Sequence, residues 1–155
     1  MSSRTFVPLL VVDASVATKW YLQEELSKEA ERVIEAGARG EARLLAPVLL
    51  AAELGNVLWQ RYRREELSAE EIRDIWAAFE ATPLTLVEIE QLMPAALEVA
   101  VGYGCTVYDA LYVALTEAYT ADGASLVTAD RRLLRRLAGT PFGERMRSIE
   151  SLSGE

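Results

Sequence analysis

Leu9-Leu10-Val11-Val12 runs straight into a carboxylate, Asp13, with a hydroxyl residue, Ser15, following shortly after. A short apolar run bounded by polar residues reads as a strand buried on both faces, the pattern of a parallel sheet. Helical spacing follows from Val16 through Leu22. Asp13 therefore lies at the carboxyl end of a strand, which is where open α/β sheets bind ligands. Asp13 and Ser15 are also good helix N-caps. Taken alone, this stretch leaves the ligand-binding and the capping readings level.

The rest of the chain alternates strands with helices. Ser27 to Arg39 has helical spacing through Ala30, Val33, Ile34 and Ala38. Arg43 to Pro47 reads as a second strand, with the proline opening a helix from about Val48 to Arg64. Ser68-Ala69-Glu70-Glu71 is a capping box, and the helix it starts closes before Pro83. Thr85 to Glu88 reads as a third strand. Gln91 to Val101 is an amphipathic helix stopped by Gly102-Tyr103-Gly104, and Val107 to Tyr119 is helical and apolar nearly all round, hence buried. Asp122-Gly123 marks a turn. Ser125 to Thr128 is a fourth strand, Arg131 to Leu137 a short basic helix, and Met146 to Ile149 a weak last strand. No repeat or linker interrupts this order. The expectation is one domain over residues 1–155, a parallel α/β sandwich.

The count that narrows the chemistry most is zero histidines. It excludes Ser-His-Asp and Cys-His catalysis, histidine zinc sites and His-based nucleases. Cys105 is the only cysteine, which excludes intrachain disulfides and cysteine-rich zinc sites. Carboxylates, hydroxyls, arginine and a hard metal ion remain. The net charge of −8 argues against a protein that coats nucleic acid generically. It leaves room for a nucleic-acid enzyme whose acids surround bound cations. Lys19 and Lys28 are the only lysines; the other cations are arginines, which grip phosphate bidentately. No apolar run approaches the ~18 residues of a membrane span. Arg4 followed by Phe6-Val7-Pro8 lacks signal-peptide architecture, so the expected compartment is the cytoplasm.

Four carboxylates then stand out. Glu53 interrupts an apolar helix and shares a face with Leu49, Leu50 and Val57, a costly place unless it is paired, protonated or bound to metal. A snorkelling or Arg-paired glutamate is the plainer reading. Asp109 sits early in the most apolar helix, where Thr106-Val107-Tyr108-Asp109 also fits a capping box. Asp130 follows the fourth strand, and an N-cap role alone would account for it too. Each acid is nearly explained by local structure; jointly they are not. Strand ends and helix starts of a parallel sheet share one edge, and acids gathered there repel one another and raise each other's pKa. A divalent cation removes that conflict, and an all-oxygen cluster suits Mg²⁺ or Mn²⁺. Such a site can activate water and stabilise a phosphoryl transition state.

With these residues in view the sequence resembles the PIN domain family, and more narrowly its VapC-type toxin ribonucleases. The resemblance rests on Val12-Asp13-Ala14-Ser15-Val16, on Ala51-Ala52-Glu53-Leu54-Gly55-Asn56-Val57-Leu58, on Thr106-Val107-Tyr108-Asp109-Ala110-Leu111-Tyr112, and on Leu126-Val127-Thr128-Ala129-Asp130-Arg131-Arg132-Leu133. Any one block is weak; all in order and at compatible spacing are specific. The resemblance implies a three-layer α/β/α sandwich on a mainly parallel sheet of about four to five strands. It implies an Mg²⁺-dependent endoribonuclease, with Mn²⁺ as a substitute, frequent homodimers and a neutralising VapB-type antitoxin. Carried over by motif, Asp13 and Asp109 are the core metal ligands, and Glu53 and Asp130 complete the acidic, catalytic pocket. Ser15 and Thr128 hold ligands or water from behind. The stretch from Asp109 to Asp130 is longer than usual around Ala121-Asp122-Gly123, which makes Asp130 the least anchored of the set.

Arg131 and Arg132 follow the fourth acid closely enough to touch an RNA backbone. Arg61, Arg63 and Arg64 form a second basic cluster at a helix end, and an apolar groove between the Trp59 and Trp76 helices is a candidate antitoxin seat. Receiver and dehalogenase-like domains also place an Asp after the first strand. The dehalogenase pattern needs a second Asp where Ser15 stands, and both folds need a late lysine, absent after Lys28. A PIN nuclease of RNA maturation without an antitoxin and a non-catalytic PIN-fold binding module remain as alternatives.

Overall fold

The computed structural model describes residues 6–152. Arg4 and both ends of the expected 1–155 domain lie outside the described residues. The chain runs β1 (Leu9–Val12), α1 (Ala14–Ala17), α2 (Ser27–Ala38), β2 (Arg43–Pro47), α3 (Leu49–Arg63), α4 (Ala69–Glu80), β3 (Leu84–Val87), α5 (Met93–Tyr103), α6 (Val107–Ala118), β4 (Ser125–Thr128), α7 (Arg131–Leu137) and β5 (Met146–Ser148).

All the strands are parallel, in the spatial order β3-β2-β1-β4-β5. The sheet grows outward from β1 on one side through β2 and β3, then resumes on the other side with β4 and β5. The crevice between β1 and β4 is therefore the topological switch point. Leu9 and Val11 face the larger core, with Leu50, Leu54 and Leu58 of α3, Phe79 of α4 and Leu111 and Leu115 of α6. Leu10 and Val12 face the smaller one, with Val16 of α1, Ala30 and Val33 of α2 and Ile149. This strict alternation buries both faces of β1, as its unbroken apolar run requires. The result is the α/β/α sandwich expected from sequence, with five strands.

Helix α6 is buried without a break from Ala110 to Thr116. Helix α5 packs along it, with their axes bent by 119° across the turn that holds Gly104 in a left-handed conformation. Among the described residues no single helix is long and apolar enough to cross a membrane.

Local chemistry departs from the sequence reading in two places. Pro47 does not open α3. It closes β2, where its missing N–H costs the ladder nothing further, and Val48 N–H donates to Val87 O at 2.9 Å before the helix begins. The helix expected over Val16–Leu22 is α1 followed by a 3₁₀ turn, Thr18–Trp20. Thr18 Oγ1 bonds back to Ala14 O at 2.8 Å, and the Trp20 indole N–H reaches Ala30 O on α2. The extra residues before β4 form a 3₁₀ turn, Thr120–Asp122, ended by Gly123 at φ 70°. They leave the β4 end in place.

The Ser68 capping box forms in full, with the Ser68 hydroxyl accepting from Glu71 N–H and the Glu71 carboxylate accepting from Ser68 N–H. Ser68→Ala should cost about 1 kcal/mol, read as a fall of about 2–4 °C in melting temperature. An unchanged melting temperature contradicts the assignment.

Candidate functional site at the β1–β4 switch point

Val12 pairs with Val127, so the next residue of each strand, Asp13 and Thr128, meet across the crevice. Asp13 caps α1, accepting from Val16 N–H at 3.3 Å. Ser15 Oγ donates to Asp13 Oδ1 at 2.5 Å, and the Thr128 hydroxyl donates to Oδ2. Both hydroxyls are tied down in turn. Ala129 N–H donates to Ser15 Oγ at 2.9 Å, and Asp130 N–H donates to Thr128 Oγ1 at 3.0 Å. The capping and ligand-holding readings of Asp13 are thus one arrangement. The carboxyl is 7% exposed, and burial, opposed by these donors and reinforced by Asp130, pushes its pKa up to about 6.

Asp130 caps α7, its Oδ1 accepting from Arg132 N–H at 2.9 Å and Leu133 N–H at 3.1 Å. Asp109 stands in the first turn of α6, where the Thr106 hydroxyl accepts its N–H at 3.1 Å. Burial raises the Asp109 pKa, Asp130 raises it further, and Thr106 pulls it down. Glu53, half-buried on α3, pairs with no arginine among the described residues; its partner is Tyr112, whose hydroxyl donates to Oε1 at 2.6 Å. Burial raises the Glu53 pKa, with Tyr112 lowering it and Asp109 raising it. Asp130 therefore acts on both Asp13 and Asp109, and Asp109 acts in turn on Glu53. One electrostatic cluster contains all of them.

They do not converge fully. Among the described residues no three Asp, Glu or Cys side chains sit close enough to hold one ion together. A cation held here would therefore draw on one or two carboxylates and keep much of its water, the usual mode of Mg²⁺. The donor set, carboxylate and hydroxyl oxygens with no histidine, fits Mg²⁺ or Mn²⁺.

Tyr112 was overlooked by the sequence reading. Its signal was present: it stands three positions after Asp109, on the same face of a helix expected to be buried, and a buried phenol needs a hydrogen-bond partner. Burial and the facing carboxylates of Glu53, Asp13 and Asp109 drive its pKa upward, so it stays a donor. Of the arginines, Arg131 is paired with Glu150 and Arg61 with Glu24 and Glu66, while Arg63 lies over the Trp59 ring at 4.9 Å. A cleft of about 340 Å³ beside the pocket is lined by Lys19, Asp130, Arg131 and Arg132. The groove between α3 and α4 is lined by Ala51, Trp76 and Phe79; Trp59 lies outside it, half exposed.

A parallel α/β domain with an acidic pocket at its switch point is the class that this geometry defines. The PIN domain sequence model matches residues 10–139. The chain belongs to the PIN domain family, and its relatives place it with the VapC-type members. It is 37% identical over 132 residues to Ribonuclease VapC3 of Pyrobaculum aerophilum, covering 82% of this chain and 93% of that one. It is 35% identical over 108 residues to Ribonuclease VapC1 of Mycobacterium tuberculosis, covering 68% and 77%. A crystal structure from Pyrobaculum aerophilum superposes with a TM-score of 0.61 at 28% identity, over 94% of this chain and 86% of that one. A toxin–antitoxin complex from Klebsiella pneumoniae shares the fold, with a TM-score of 0.58 at 15% identity over 90% and 97%.

The pKa of Asp13 has a consequence for stability. Its folded-state value, about 6, exceeds the ordinary 3.8, so its contribution is complete below about pH 4 and is lost as pH rises through about 6. Asp13→Asn cannot ionise. In EDTA its stability relative to wild type should therefore rise by as much as ~3 kcal/mol between about pH 4 and about pH 7. Denaturant melts at both pH values measure this; a pH-independent difference contradicts it.

Proposed function

We propose that this chain is a divalent-metal-dependent endoribonuclease acting as the toxin of a toxin–antitoxin pair. The observation that carries this reading is the electrostatically linked cluster of carboxylates around buried Asp13, in a chain with no histidine to do the work instead. The VapC ribonucleases among its relatives support it, and the resemblance to them extends the proposal to a VapB-type antitoxin and a homodimer.

Asp13 and Asp109 would hold Mg²⁺ or Mn²⁺, with Glu53 and Asp130 completing the pocket. The ion, when bound, would neutralise phosphate charge and make water a competent nucleophile near neutral pH. The chain's own work is mostly positional. Ser15 and Thr128 hold both Asp13 oxygens by donating to them, which favours the charged form that burial opposes. The backbone N–H groups of Ala129 and Asp130 fix those hydroxyls, so the carboxylate need not reorganise when a cation arrives. Asp130, Asp109 and Glu53 remain available to accept a proton from the attacking water or to orient it.

Arg132, with no partner for its guanidinium among the described residues, is the cation of this cleft best placed to grip an RNA phosphate. Arg131 would have to leave Glu150 to do so.

Cleavage of structured and single-stranded RNAs is expected with Mg²⁺ or Mn²⁺ and not with EDTA. Asp13→Asn and Asp109→Asn should each lower it by on the order of 100-fold or more. Cleavage that persists in EDTA or in both variants contradicts the proposal. A folded wild type with no cleavage under any metal favours a binding module.

A further inference from the structure

Two side-chain hydroxyls lie in the buried stretch of α6 between Ala110 and Thr116: those of Tyr112 and Thr116. Thr116 is satisfied locally, donating to Tyr112 O one turn back at 2.9 Å. Tyr112 has no such recourse. Its side chain is 2% exposed, and its O–H crosses to α3 to find Glu53 Oε1 at 2.6 Å, 59 residues away in sequence.

Glu53 makes no ion pair among the described residues. Among the described residues its Oε2 has no donor, and the Tyr112 hydroxyl alone fixes the carboxylate. Tyr112 and Asp109 share a helix face, and the bond carries a carboxylate from a different helix to that face. Phenylalanine would pack against the same core neighbours. A hydroxyl there serves only what it bonds.

We infer that Tyr112 is a positioning residue for the acidic pocket: it holds Glu53 on the Asp109 side of α6, with Oε1 fixed and Oε2 left to serve a divalent cation. This rests on the metal-dependent reading above. A partner behind a ligand of this kind is typically worth about 10–100-fold in metal affinity.

The test uses the full chain as wild type, Tyr112→Phe, Glu53→Gln and the double variant. Mn²⁺ binding is followed by the electron paramagnetic resonance signal of the free ion, and kcat and KM for RNA cleavage are measured in parallel. Tyr112→Phe should weaken Mn²⁺ binding about tenfold and lower kcat while KM for RNA stays unchanged. In the Glu53→Gln background it should do nothing further, because its effect runs through that carboxylate. Wild-type Mn²⁺ affinity and kcat in Tyr112→Phe overturn the inference, as does a fully additive loss in the double variant, the signature of packing alone. A wild type that binds no Mn²⁺ overturns the metal reading itself, an outcome distinct from either of these.

Discussion

Burying a carboxylate where two parallel strands end costs several kcal/mol unless donors meet it. At Asp13 the donors come from both strand ends: Ser15 follows β1 directly, Thr128 is the last residue of β4, and each donates to a different oxygen. The arrangement depends on the sheet order. Only because β4 returns to the far side of β1 does Thr128 fall opposite Asp13. Both faces of β1 must then be covered, and the two cores on either side of it do this. Fold and site answer to the same constraint.

The remaining acids extend that constraint outward. Asp130 is held by the helix it caps, Asp109 by the first turn of the most buried helix, and Glu53 by a tyrosine from that same helix. Asp130 and Asp109 thus borrow their position from ordinary local structure, and Glu53 from a contact between helices. The capping role of Asp130 need not compete with a ligand: Oδ1 takes the N–H groups of α7, and Oδ2 has no donor among the described residues. Burial raises the pKa values of Asp13, Asp109 and Glu53 alike, and repulsion from a neighbouring acid adds to each. A cation would remove that cost.

The strands were legible because a buried parallel strand has few alternatives. Leu9–Val12 and Ser125–Thr128 each read from a short apolar run with a polar stop, and Arg43–Pro47 from a short apolar run that ends on proline. The capping box at Ser68 was legible because its two bonds are local in sequence. What escaped was set by tertiary contact. The break after Ala17 depends on Thr18 bonding backward and Trp20 reaching α2, and Pro47 ends a strand because β3 pairs beyond it. The carboxylates were visible as anomalies on apolar backgrounds. Their partners were less so: Ser15 and Thr128 lay inside recognisable motifs, whereas the bond from Tyr112 to Glu53 spans two helices and leaves no local signature. Arg131 read as a cation within reach of an RNA backbone, and its pairing with Glu150, set by tertiary contact, had no local signal.

The central claim is that this crevice holds a divalent cation between the Asp13 and Asp109 carboxylates. The most direct measurement is an anomalous-scattering map from crystals grown with Mn²⁺. A manganese peak in the crevice, contacting both Asp13 and Asp109, is the expected result. No peak there at saturating Mn²⁺, with Asp13 still held only by Ser15 and Thr128, would contradict the account and leave the carboxylates as helix caps alone.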